Sequence, residues 1–227
     1  MSAKIFVVSG RRTYADPCGV ARALGAVGER WALLVVRELL FGPKRFSDLS
    51  RGLPGMSQNV LSQRLRELEE SGVVRRGRLG PPASIQVYEL TERGQRLEPV
   101  LLALSAWGSR LPLPEGGELS VDALMLALRS TFDTAASGDL AARVELRLGD
   151  DRFRVEVAGG ELTLTRGAYP TPPDAVLTTS PATLRALVFA GRKTADALRK
   201  GDLHVDGDRK LAERLLRCFP RPPADET

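Results

Sequence analysis

Asn59, Gln63 and Arg66 lie within SQNVLSQRLRELEESG, residues 57–72, at spacings of four and three. In the same stretch Leu61, Leu65 and Leu68 recur at i, i+4 and i+7, the period of a single buried helix face. At about 100° per residue the two amides and the guanidinium fall on the opposite face. A solvated helix face ordinarily carries Glu and Lys there. Side-chain amides make paired hydrogen bonds with the edge of adenine, and a guanidinium does so with guanine. These residue types in this row therefore suit the reading of base edges in a major groove. Ser57, Gln58, Ser62 and Arg64 flank the row and suit phosphates or neighbouring base edges. Glu67, Glu69 and Glu70 stand at the far end, where repulsion from phosphate costs least.

Such a row needs a frame to present it. Upstream, Asp16-Pro17 predicts a helix start, with Asp as N-cap and Pro as the first helical residue. A second helix, about 29–41, carries Trp31, Leu34, Val35 and Leu39 and stops at Gly42-Pro43. Phe46-Ser47 starts a short third helix, which Gly52-Leu53-Pro54-Gly55 ends in a tight turn. Ser57 caps the helix of base readers, with Met56 and Leu61 spaced for a hydrophobic staple. VVRRGRL, the turn GPPAS and IQVYEL predict a β-hairpin whose first strand carries Arg75, Arg76 and Arg78. A last helix, about 92–110, is apolar at Leu97, Leu101, Leu104 and Leu111 and should kink near Pro99. Two short helices joined by a tight turn and followed by a basic hairpin make a winged helix-turn-helix. In that geometry the second helix enters the major groove N-terminal end first.

Composition agrees and excludes other classes. The 227 residues are 43% hydrophobic and 27% charged, as expected of a soluble globular chain of one large or two ordinary domains. The net charge of +5 is unevenly spread. Residues 1–111 hold 17 Lys+Arg against 10 Asp+Glu, a net +7, whereas residues 112–227 hold 16 against 18, a net −2. The first half is thus matched to a polyanion, with chance variation among surface charges as the alternative. No stretch approaches the roughly 20 apolar residues of a membrane span. The N-terminal IFVV is too short for a signal-peptide core of about 7–15 residues, so a cytoplasmic protein is expected. Two distant cysteines, Cys18 and Cys218, and one histidine, His204, offer no metal-ligand set. They leave almost no nucleophile–histidine pairing either. No catalytic residue, metal or cofactor is expected, and the chain does not read as an enzyme.

The run PCGVARALGAVGERWALLVVRELLFGPKRFSDLSRGLPGMSQNVLSQRLRELEESGVV, with YELTERG and LLALSAWG, closely resembles the HxlR-type transcriptional regulators over about residues 13–110. The resemblance implies a dimeric bacterial winged-helix regulator of double-stranded DNA whose terminal helices form much of the interface. Here those positions are Leu97, Leu101, Leu104, Trp107 and Leu111. A symmetric dimer would read a pseudo-palindromic operator with half-sites about one helical turn apart. Cys18 aligns with a cysteine that senses oxidants or electrophiles in some members. A helix N-terminus stabilises a thiolate, but neighbouring Asp16 opposes this, and cysteine is equally at home as a small buried residue.

The Pro- and Gly-rich LPLPEGGELS, residues 111–120, separates the halves. A helix follows, about 120–134, apolar at Val121, Leu124, Met125, Leu128 and Phe132. Three alternating strands come next: Val144, Leu146 and Leu148; Phe153, Val155 and Val157; Leu162 and Leu164. Such a meander has one buried and one wet face, the wet one carrying Arg143, Glu145 and Arg147. A fourth strand near 175–178, a helix from Ser180-Pro181 to Phe189, a further helix, the short strand LHV and a closing helix complete the half. That order, with DAVLTTSPATLRALVFAG and KGDLHVDGDRKLAERLL, resembles the sterol-carrier-protein type 2 family over about residues 118–219. The family's apolar tunnel implies a sensory pocket for a lipid or acyl ligand, for which Leu124, Leu128, Phe132, Phe153, Leu187 and Phe189 are candidate lining. Apolar residues in this pattern serve equally as packed core.

The expected architecture is α+β. Residues 1–111 form the DNA-binding and dimerisation domain, 112–119 a linker, 120–219 a sterol-carrier-like ligand domain with a five-stranded, mainly antiparallel sheet, and 220–227 a disordered tail. The expected function is a homodimeric repressor with an apolar effector and no membrane association. The alternative is a thiol-based redox regulator acting through Cys18, with the second domain as a dimer brace.

Overall fold

A computed structural model describes residues 5–8, 11–80, 84–111 and 117–221, with side chains from Tyr14 onward. The chain divides into two compact units, Met1–Leu101 and Leu102–Thr227. The expected turn at 80–84, the linker and the tail fall largely outside the described residues.

The first unit begins with a small antiparallel hairpin, β1 (Ile5–Val8) and β2 (Arg11–Tyr14). Helix α1 (Gly19–Val27) starts later than Asp16-Pro17 suggested. The Asp16 carboxylate accepts from the Cys18 N–H at 2.9 Å, a turn that keeps residues 16–18 out of the helix. Cys18 is the N-cap instead, its Sγ accepting from Ala21 N at 3.3 Å. Helix α2 (Ala32–Leu39) follows Trp31, the one non-glycine residue at positive φ (78°) among those described. Helices α3 (Phe46–Gly52) and α4 (Gln58–Glu70) are joined by the turn through Gly55, whose φ of 84° suits a residue without Cβ. The wing pairs β3 (Val74–Leu79) with β4 (Ile85–Leu90), Arg76 opposite Tyr88. Lys44 pairs with Tyr88 as an isolated bridge, extending the wing toward α2.

The expected helix 92–110 is two helices. The first, α5 (Glu92–Gln95), is capped by Thr91, and α6 (Glu98–Gly108) restarts with Pro99 in its first turn. Proline lacks the N–H that a mid-helix position must donate but fits a first turn, so the chain breaks before it rather than kinking across it. The division between units falls inside α6.

The apolar periodicity of α2, α3 and α4 converges on one core. Val35, Val36, Leu39 and Leu49 have no exposed surface, and Leu53, Leu61, Leu65 and Leu68 expose 1% each. Burial of each such side chain contributes about 1.5–3 kcal/mol. That core leaves the opposite side of α4 free.

In the second unit α7 (Val121–Thr131) is capped by Ser120 and followed by the short α8 (Thr134–Ser137). Then come β5 (Ala142–Leu148), β6 (Asp151–Ala158), β7 (Glu161–Arg166) and β8 (Ala175–Thr179). The unit ends with α9 (Pro181–Phe189), α10 (Thr194–Arg199), β9 (Leu203–Gly207) and α11 (Arg209–Leu216). The strands form one sheet in the order β7-β6-β5-β8-β9, with only β5 and β8 parallel. Val144, Leu146, Phe153, Val155 and Leu177 point to the buried side at 0–3% exposure. The other side is not uniformly wet. Glu145 is 3% exposed, because the segment after Gly167 crosses it.

Candidate nucleic-acid interface

Helix α4 begins at a cap built for it. Ser57 is extended, and its hydroxyl accepts from Val60 N at 3.3 Å, satisfying one of the helix's open amides. Asn59, Gln63 and Arg66 are all exposed, on the side away from the buried leucines, and the structure brings them into one row. Two of them touch. Arg66 donates to Gln63 Oε1 at 2.8 Å, and Gln63 Nε2 donates to Glu67 Oε1 at 2.7 Å. These bonds hold the guanidinium and the amide side by side, with both side chains still facing water. Gln58 is exposed and Ser62 half-buried beside them.

Arg64 does not join this row. Its side chain is 12% exposed and bound to Glu67, with Glu29 at 3.7 Å. Its position three residues after Leu61 puts it at the border of the apolar stripe, where it ties α4 to the segment before α2.

On the wing, Arg75, Arg76 and Arg78 are exposed. Arg75 donates to Glu89 at 2.9 Å across the hairpin. Arg76 makes two hydrogen bonds to Glu69 of α4, at 2.9 and 3.2 Å, and Glu69 raises its pKa above the ordinary guanidinium value. The ring of Tyr88 lies 5.8 Å from the same guanidinium. Arg78 forms no ion pair among the described residues. The α4–wing contact through Arg76 and Glu69 fixes how the hairpin sits against the helix.

The frame contains a buried ionic cluster that the sequence reading missed. Glu38 has no exposed surface and takes Arg37 at 2.9 Å and Lys44 at 2.8 Å. The available signal was a lone Glu within the apolar run WALLVVRELL.

Other candidate residues fall elsewhere. Cys18 is exposed at the start of α1, and Cys218 is buried. Leu97 is half-buried and Leu101 is 5% exposed, whereas Leu104, Trp107 and Leu111 expose 45%, 63% and 43%. In the second unit Leu124, Leu128 and Phe153 are core residues at 0–2% exposure. Phe132, Leu187 and Phe189 are half-buried, and Phe132 packs on Phe219 with ring centroids 5.8 Å apart. Arg166 links Asp122, 2% exposed, to Asp151 and lies 4.5 Å over the Phe153 ring. His204 is exposed, and no group of three or more His, Cys, Asp or Glu gathers to hold a metal among the described residues. None of the helices, among the described residues, is long and apolar enough to cross a membrane.

Comparison with known proteins divides the chain in the same two. Residues 26–114 match the family model of the HxlR-like helix-turn-helix, and residues 117–225 match that of the alkyl sulfatase C-terminal segment. An HTH-type transcriptional regulator of Mycobacterium tuberculosis is 45% identical over 98 residues, 43% of this chain and 61% of the relative. The chain thus spans about three-fifths of the length of that mycobacterial relative. The HTH-type regulator YvaP of Bacillus subtilis is 40% identical over 89 residues, 39% of this chain and 82% of YvaP. The reduced form of the regulator YodB from the same organism is 34% identical, covering 45% of this chain and all of that one, with a TM-score of 0.38.

Proposed function

Because the chain belongs to the HxlR-like helix-turn-helix family, we propose that it is a homodimeric, DNA-binding transcriptional repressor that reads a pseudo-palindromic operator with α4. One observation carries the reading. Asn59, Gln63 and Arg66 stand exposed in a row on a helix whose other side is fully buried. The wing arginines serve as phosphate anchors, since their charge is read by any sequence alike. In the dimer, Leu104, Trp107 and Leu111 of one protomer meet those of its partner. Three exposed large apolar side chains on adjoining turns support that assignment.

The second unit serves as an effector unit that takes an apolar lipid- or acyl-like molecule. The sterol-carrier resemblance supports this, and so does the half-buried setting of Phe132, Leu187 and Phe189. A ligand acts by binding better to one spacing of the two recognition helices than to the other.

The test is binding of the full chain to its own upstream DNA, followed by fluorescence anisotropy, with sedimentation to give the oligomer. A dimer that prefers one palindromic segment at least a hundredfold over random DNA is expected. Equal affinity for all sequences would refute the operator reading, and a monomer bound to DNA would refute the dimer. Release of sulfate from an alkyl sulfate by the purified protein would overturn the non-enzymatic reading of the second unit.

One observation favours a second reading. Cys18 is exposed, and its sulfur accepts from the Ala21 amide at the start of α1, within reach of an oxidant. Loss of an oxidant response in Cys18→Ser, with operator affinity retained, would support Cys18 as the input and the second unit as a brace.

A further inference from the structure

The first unit contains a cavity of about 380 Å³ away from the recognition row, lined by Gly19, Arg22, Ala23, Ala26, Val27, Val73, Arg93 and Leu97. Its size lies within the range of small-molecule sites, about 300–1,000 Å³. One wall is α1, with Ala23, Ala26 and Val27. The other comes from Val73, just before β3, and Leu97, between α5 and α6. A Cβ added at Gly19 would meet nothing within 4 Å, so the cavity has open space at that end. The lining contains two guanidinium groups and no carboxylate. Arg37, Arg64, Arg75, Arg76 and Arg96 of this unit each hold a carboxylate. Arg22 and Arg93 hold none among the described residues and form no side-chain hydrogen bond there. Glu92, next to Arg93, is engaged by Arg96 at 2.6 Å.

Two unpaired cations from different helices, set at the edge of an apolar wall, have one chemical complement. We propose that this cavity binds a small amphiphilic monoanion, a carboxylate on a compact apolar body, with Arg22 and Arg93 taking the head and Ala23, Ala26, Val27, Val73 and Leu97 taking the body. Charge-assisted bonds from two guanidiniums outweigh those of a neutral head, and both side chains are exposed and available to it. The site stands apart from the DNA-reading face, so its test needs no DNA.

The experiment is calorimetric titration of the full-length protein with octanoate and, as the uncharged control, 1-octanol. Octanoate is expected to bind with one site per chain. Arg22→Ala/Arg93→Ala should weaken octanoate at least tenfold and leave 1-octanol unchanged. Ala23→Phe, at an exposed position on α1, should abolish both, with circular dichroism checking that each variant keeps its helix content. Octanoate binding that neither variant alters would place the ligand elsewhere on the chain and overturn the proposal. So would no binding at millimolar octanoate. An octanoate affinity that falls as protein concentration rises would assign the cavity to a second copy of the chain, and would overturn it equally.

Discussion

Lys44 Nζ lies 2.8 Å from Oε2 of Glu38, a carboxylate with no exposed surface, and the same lysine's backbone exchanges hydrogen bonds of 2.9 and 2.8 Å with Tyr88 of the wing. One residue thus joins α2 to the hairpin. The carboxylate has little freedom, since Arg37 holds its other oxygen. A Cβ on Gly52 would lie 2.2 Å from Oε2. Gly52→Ala is therefore expected to destabilise the first unit by about 1–3 kcal/mol, because a pinned side chain cannot swing aside. In a Glu38→Ala background the added cost should vanish. Chemical denaturation of the four proteins in a double-mutant cycle measures the coupling.

The DNA face separates readers from anchors. Gln63→Ala should relax base preference at one operator position, costing roughly 1–3 kcal/mol on the preferred site and little on random DNA. Arg76→Ala should weaken binding to all sequences and flatten the salt dependence by about one phosphate. The Arg76–Glu69 pair adds a third case. Glu69→Gln releases the arginine and removes a repelled charge, so affinity for any duplex should rise several-fold, with a steeper salt slope. Binding isotherms at several salt concentrations on specific and random duplexes check all three. Uniform loss in Gln63→Ala would refute its role as a reader.

The two thiols should differ in reactivity. Burial pushes the Cys218 thiol above its ordinary pKa, against the pull of Arg214 and Arg217, and its sulfur donates to Arg214 O at 3.4 Å. A raised pKa leaves less thiolate at a given pH. Iodoacetamide at pH 8 should label Cys18 in the native protein and reach Cys218 only in denaturant. Peptide mass spectrometry distinguishes the two.

Glu145 predicts an acid limit for the second unit. Burial raises its pKa, but the hydrogen bonds from Arg147 and from Tyr169 N, with the charges of Arg147 and Arg152, bring it below the ordinary glutamate value. The folded pKa is therefore below the unfolded one, about 4.3. Its contribution is complete above that value and disappears as pH falls through the folded pKa. The melting-temperature gap between the wild type and Glu145→Gln should be full at pH 7 and close below about pH 4. A gap that persists at pH 3 would show that the carboxylate's charge is not what matters there.

What could be read in advance follows from how local the cause is. The cap at Ser57, the leucine stripe of α4 and the strand alternation of the second unit are set by neighbours a few residues away, and the structure contains all three. The N-cap of α1 depended on whether Asp16 bonded to an amide two residues on or capped a helix, a choice that composition does not decide. Arg64 was assigned by residue type, although its helical phase put it beside Leu61. The burial of Glu145 required a segment 24 residues away to fold across the sheet, and the cavity between α1 and the residues after β4 required three separate segments to meet. No window of sequence contains those events.

The register that pairs Val144 with Ala175 in parallel makes β5–β8 the long-range closure of the second unit's sheet. Strands β5, β6 and β7 are joined by tight turns, so the meander can close as soon as it exists. Strand β8 reaches the far side of β5 only after the intervening chain has been ordered, and long-range parallel pairing is slow. Until then β5 presents an open edge bearing Val144, Leu146 and Leu148, able to accept a strand from any neighbouring chain. A copy whose β8 had come away from β5 would therefore be the form most open to strand exchange with another chain.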